Sequence, residues 1–113
     1  MTTRTTTKWL LLPATLMALA VLAPAAVVRA ETHEVEIADR KFKPAKIKIK
    51  KGDTVVWTNN GEGDHTVTAK DDSFDSGKIA VGETFEHTFE KAGKYEYVCD
   101  YHTRMKGVVE VTD

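Results

Sequence analysis

The sequence holds one cysteine, Cys99. That count excludes an internal disulfide and leaves no cysteine near the N-terminus on which a lipoprotein anchor could be built. Acids are missing from residues 1–30, whose only charges are Arg4, Lys8 and Arg29. A helical period is missing from everything that follows, as are repeats, linkers and low-complexity runs. A basic excess is missing as well. With those three residues set aside from the 16 bases, 13 remain against 17 acids, a net charge near −4 that offers nothing to a nucleic acid.

What stands in the first 30 residues is the pattern of a secretory leader. Arg4 and Lys8 precede a run from Trp9 to Val28 that is apolar apart from Thr15 and is interrupted by Pro13 and Pro24. Val28-Arg29-Ala30 places small residues at the two positions a signal peptidase reads, so cleavage is expected after Ala30. An uncleaved membrane anchor is the alternative, since the run is long enough to span. The expected organisation is a leader over 1–30 and one domain over 31–113. A domain of that size buries a limited core and often relies on a staple. A lone thiol in an oxidising compartment calls for an explanation, and metal ligation supplies one.

The period of the remainder is two. Lys46-Ile47-Lys48-Ile49-Lys50 alternates strictly, and Lys51-Gly52-Asp53 reads as a turn. Strands are expected at Val35 to Ala38, Thr54 to Asn59, His65 to Ala69, Glu83 to Glu90, Tyr95 to Cys99 and Gly107 to Thr112. The stretch from Lys70 to Gly82 reads as irregular, with Phe74 and Ile79 as anchors. About seven short strands at close spacing predict an all-β, antiparallel sandwich.

Near the C-terminus stands Cys99-Asp100-Tyr101-His102-Thr103-Arg104-Met105, a Cys-x2-His-x2-Met spacing at a strand exit. It offers a thiolate, an imidazole and a thioether close together. His65 adds a second imidazole directly after the glycine-rich loop Asn60 to Asp64, and in a sandwich both loops can meet at one end. Two His and a Cys with a weak axial Met form the ligand set of blue-copper electron-transfer sites. Thiolate and thioether are soft and suit Cu(I), imidazole suits Cu(II), and zinc would prefer a carboxylate or second thiolate to the thioether. Against this stand an inert core thiol with ordinary histidines, and a Cys–His hydrolase, which would need an activating helix N-terminus and an oxyanion hole that the pattern does not offer.

These residues also carry a resemblance. Phe42-x-Pro44, Gly52-Asp53-Thr54-Val55-Val56-Trp57-Thr58-Asn59, Asp64-His65-Thr66-Val67, Gly93-Lys94-Tyr95-Glu96-Tyr97-Val98-Cys99 and His102-x2-Met105 resemble the cupredoxins, in particular amicyanin and its plastocyanin-like relatives. The short ligand loop looks like amicyanin's. The resemblance implies a Greek-key sandwich and one type 1 copper, with His65 as inner ligand, His102 facing solvent, Cys99 giving the short copper–sulfur bond and Met105 the long axial contact. It further implies a periplasmic one-electron carrier, not an enzyme, that exchanges electrons with a c-type cytochrome or a dehydrogenase. A monomer is expected, with no membrane contact once the leader is removed. Copper storage or delivery is the alternative function, because ligands alone do not separate carrier from shuttle. Thr66 stands where many relatives have Asn, so the hydrogen bonds between the ligand loops are expected to differ. Tyr101 and Thr103 replace amicyanin's loop prolines, and Tyr101, Thr103 and Gly61 to Gly63 are expected to form a polar docking rim.

Three features lie outside that set. His87, between Phe85 and Phe89, reads as a structural histidine. The dense bases from Arg40 to Lys51 read as a solvated strand face that deters edge pairing. Cleavage after Ala30 would leave Glu31-Thr32-His33 as a new terminus, whose amine, two amides and imidazole form a square-planar nitrogen set. A second Cu(II) bound through His33 is therefore an expectation to be tested.

Overall fold

The computed structural model describes residues 29–113, so the expected leader lies outside the described residues except for Arg29 and Ala30. Alternation translates directly into strands here. In the Lys46–Lys50 strand the lysines are exposed and Ile49 is buried, and in Thr54–Asn59 every second residue, Val55, Trp57 and Asn59, turns inward. Eight strands result: β1 (Thr32–Ala38), β2 (Lys41–Lys43), β3 (Lys46–Lys50), β4 (Thr54–Asn59), β5 (Thr68–Ala69), β6 (Thr84–Thr88), β7 (Gly93–Cys99) and β8 (His102–Thr112). They form two four-stranded sheets, in the orders β2-β1-β4-β6 and β3-β8-β7-β5.

This is the expected Greek-key sandwich, with two pairings that alternation alone does not reveal. β1 runs parallel to β4 and β3 parallel to β8. A parallel pair needs a crossover connection, and between β1 and β4 the chain supplies one by turning through β2 and crossing to the other sheet as β3 before it returns. β2 was not expected at all. It is a three-residue strand joined to β1 by a two-residue hairpin, Asp39-Arg40, both with positive φ (54° and 56°). Hairpins of that hand usually advertise themselves with Asn-Gly or Asp-Gly, and this one does not.

Trp57 occupies the centre of the core, fully buried, with Tyr97 edge-on at 5.4 Å and Phe85 and Phe74 at 5.6 and 6.0 Å. Phe74 and Ile79, the expected anchors of the irregular stretch, are both buried. Tyr97 lies across its cross-strand partner Gly107, where any Cβ would collide with the tyrosine ring and hydroxyl. Burial pushes the Tyr97 hydroxyl up to about 12, so it stays protonated. His87 packs its ring between Phe74 and Phe89, at 4.8 and 4.7 Å, and the loss of water there lowers its pKa. It is a structural histidine, as expected.

The strand expected over His65 to Ala69 shortens to Thr68–Ala69. His65 instead pairs alone with Ile79, through N–H···O bonds of 3.1 and 2.7 Å. The backbone of 65–67 is diverted from a regular ladder because it delivers a side chain to the end of the sandwich.

Candidate metal centre

The construction begins at the last residue of β4. Asn59 is fully buried, and its amide holds three backbone groups. Its Nδ2 donates to the carbonyls of Gly63 (2.9 Å) and Ile79 (2.8 Å), and its Oδ1 accepts from the Gly61 amide (3.0 Å). One side chain thus shapes the glycine-rich loop and ties it to the segment that pairs with His65. Sequence reading placed Asn59 at a strand end without a role. The available signal was a polar residue on the inward parity of a strand, immediately before a loop.

His65 emerges from that loop fully buried. Its Nε2 lies 3.1 Å from the Glu62 carbonyl, which can only accept, so Nε2 carries the proton and Nδ1 is left with a free lone pair. Burial also lowers the pKa of the ring, which keeps the imidazole neutral and available as a ligand.

Cys99 ends β7 and is buried. The chain turns through Asp100-Tyr101, and Cys99 pairs directly with His102 across the turn. Val98 pairs with Lys106, so Thr103 to Met105 are extra residues on β8, a bulge that leaves Met105 buried among the core residues rather than on an exposed loop. Cys99 Sγ lies 3.7 Å from His65 Nδ1 and 3.5 Å from His102 Nδ1, and the three donor atoms all fall within 4.8 Å of one another. Two ligands held at about 2.0 and 2.3 Å from one metal, at an angle between tetrahedral and trigonal, stand roughly 3.5–3.8 Å apart. The observed separations match that spacing, so the donor set fits a metal. His102 is half-buried, whereas His65 has no exposure.

Thr66 joins the two ligand segments twice. Its amide donates to Cys99 Sγ at 3.4 Å, and its Oγ1 accepts from the Asp100 amide at 2.8 Å. The hydroxyl also meets Thr68 Oγ1 at 3.0 Å, and that hydroxyl faces the Asp100 carboxylate at 3.2 Å. An N–H aimed at the sulfur withdraws electron density from it and adjusts the electronic character of the site. Beside the centre opens a cleft of about 1050 Å³ lined by Ala38 to Arg40, Asn60 to Asp64, Tyr101 and His102. Tyr101 is 53% exposed. Of the expected rim, Tyr101 and Gly61 to Gly63 line this cleft, and Thr103 is exposed but not part of it.

His33 does not join the centre, and its place gives no support to the expected second Cu(II). The ring Nε2 lies 2.9 Å from Asp53 Oδ2, the Glu31 amide donates to Asp53 Oδ1 at 2.9 Å, and Thr32 and His33 pair with Thr54 and Val55 in the sheet. A square-planar chelate would have to wrap these residues around a metal, and the extended strand holds them flat against a carboxylate instead.

Fold and site together define a small β-sandwich with a buried thiol and two imidazoles converging at one end. The chain belongs to the cupredoxins: the family of the cupredoxin-like domain matches residues 11–111. It is similar to amicyanin-alpha of Methylorubrum extorquens, at 33% identity over 87 residues, 73% of each chain. It is also similar to plastocyanin of Scenedesmus fuscus, at 34% over 83 residues, 62% of this chain and 85% of that protein. Among solved structures, a purple cupredoxin from Nitrosopumilus maritimus superposes with a TM-score of 0.68 at 29% identity, covering 71% of this chain and 99% of that one.

Proposed function

We propose that this protein is a periplasmic type 1 copper protein that carries one electron at a time, its metal held by Cys99 Sγ and the Nδ1 atoms of His65 and His102, with Met105 as the weak axial donor. The observation that carries the reading is the orientation of His65. Its outer nitrogen is tied to the Glu62 carbonyl, so its inner nitrogen faces the buried thiol with nothing else to bind. Copper, when bound, supplies the one-electron couple. The chain supplies the fixed cage: Asn59 sets the His65 loop, Thr66 bridges that loop to the Cys99 turn, and both are buried, so little of the protein has to rearrange between oxidation states. Half-exposed His102 beside the cleft is the exit for the electron, and the polar rim with Tyr101 favours weak, transient docking of a c-type cytochrome or a periplasmic dehydrogenase. A monomer, freed of its leader after Ala30, is part of the same reading.

Absorption and EPR spectra of the Cu(II)-loaded protein test it. The expected result is an intense thiolate charge-transfer band that Cys99→Ser abolishes. A colourless spectrum from the unsubstituted protein overturns the reading. Ready release of copper to a partner apoprotein, with slow self-exchange, would favour copper delivery over electron transfer.

A further inference from the structure

Asp53 is a buried carboxylate for which the metal centre has no use. It stands at the turn before β4, at the opposite end of that strand from Asn59, and its residue is 4% exposed. Three donors close on it: the Glu31 backbone nitrogen on Oδ1 at 2.9 Å, and His33 Nε2 and the Lys50 amide on Oδ2 at 2.9 and 3.0 Å. Those hydrogen bonds, the Glu31 bond foremost, hold the carboxyl down at about 2, so it is an anion at every physiological pH. Two of the three donors belong to the first residues after the expected cleavage point. Ala30 and Glu31 are exposed, so the bond between them is open to a peptidase.

We propose that Asp53 is the receptor for the N-terminus created by leader removal, converting a neutral backbone donor into an α-ammonium paired with this buried carboxylate. The inference rests on cleavage after Ala30. Water adds across the Ala30–Glu31 amide, the carbonyl carbon leaves with the leader as a carboxylate, and the Glu31 nitrogen takes a proton. That nitrogen is already 2.9 Å from Oδ1, so the new charge appears in place and no chain movement is required. Before cleavage the same carboxylate is held by the Glu31 and Lys50 amides and the imidazole, and processing adds a full countercharge to that set. Processing therefore completes the fold as well as releasing it. Other titratable and charged groups at this end, those of Arg29, Glu31, His33, Lys48, Lys50 and Lys51, line the surrounding groove; Arg29 departs with the leader, and no lysine ammonium takes the place on Oδ1.

The test uses the full precursor, exported and processed in a bacterial host and loaded with copper. Mass spectrometry of the product comes first. A mature chain that starts at Glu31 is expected, and any other start overturns both the cleavage reading and the inference. The α-amine is then labelled with an aldehyde reagent selective for N-terminal amines, in the unsubstituted protein and in Asp53→Asn. Labelling at least tenfold slower in the unsubstituted protein, restored to a peptide-like rate in Asp53→Asn with the charge-transfer band intact, is the expected result. Equal rates would overturn the inference while leaving the cleavage reading standing. Should Asp53→Asn not fold, an NMR titration of the Glu31 nitrogen in the unsubstituted protein decides. Titration above the ordinary α-amine range supports the ion pair, and titration within that range overturns it.

Discussion

The two ends of β4 make opposite use of histidine. At the Asn59 end the sandwich holds His65 by its outer nitrogen so that the inner one faces the buried thiol. At Asp53, roughly 20 Å away just before the start of that strand, it gives His33 a carboxylate that uses the nitrogen up. One end gathers three donor atoms within 4.8 Å of one another, a set that a metal could bind. The other end leaves nothing over. Ligand geometry and fold stability are thus placed at different ends of one strand, and substitutions should separate them.

The largest effect is expected at the satisfied end. Asp53→Ala removes the acceptor of three donors and should cost about 3 kcal/mol, read from urea midpoints, without altering the charge-transfer band. The sign of its pH dependence follows from the carboxyl's position near 2. A depressed carboxyl stabilises the fold fully above its unfolded value of about 4, and that contribution, about 2–3 kcal/mol, is lost as the pH falls from 4 towards 2. In Asp53→Asn this acid limb should be missing. An unchanged limb would place the acid sensitivity elsewhere and dissolve the contrast.

A smaller change is expected at the other end. Thr66→Val keeps the amide on Cys99 Sγ and removes the acceptor of the Asp100 amide. Stability should fall by about 1–2 kcal/mol, and the charge-transfer maximum should shift because the turn beside the thiolate is loosened. Hydrogen exchange at Asp100 should accelerate. A stability loss with a fixed band would show that the hydroxyl supports the sandwich without positioning the sulfur.

The smallest effect belongs to His33→Gln. It leaves Asp53 two backbone donors and should cost about 1 kcal/mol or less. The ratio of copper to protein should remain one before and after the change. A ratio of two that drops to one in His33→Gln would restore the second copper that the strand geometry does not support.

How much of this could be read in advance differs between the two ends for a physical reason. The thiol, the thioether and one imidazole sit within seven residues, and their chemistry constrains what they can bind, so the candidate ligands were legible from spacing alone. The second imidazole was marked by a glycine-rich loop. Asp53 was read as part of a turn because its partners, Glu31 and His33, lie 22 and 20 residues away, and their meeting depends on the parallel pairing of β1 with β4. Alternation announces that a strand exists and which face is buried, but it carries no information on the neighbour or its direction. The hairpin at Asp39-Arg40 was hidden for a different reason: the aspartate suits such a turn, but its second positive-φ residue is an arginine where a glycine usually marks it.

The parallel pairings have a practical outcome. β1 starts beside Thr54, and β8 finishes beside Lys50, with the Lys51 amide on the Thr112 carbonyl. Glu31 and Thr112 therefore sit together around the Lys50–Thr54 turn, far from His102. Anything joined through Glu31 or Thr112, whether a tether, a fused enzyme or a linker to an electrode, leaves from the side away from the half-buried imidazole of His102. A molecule immobilised through Glu31 or Thr112 would stand upright, with His102 presented to the solution.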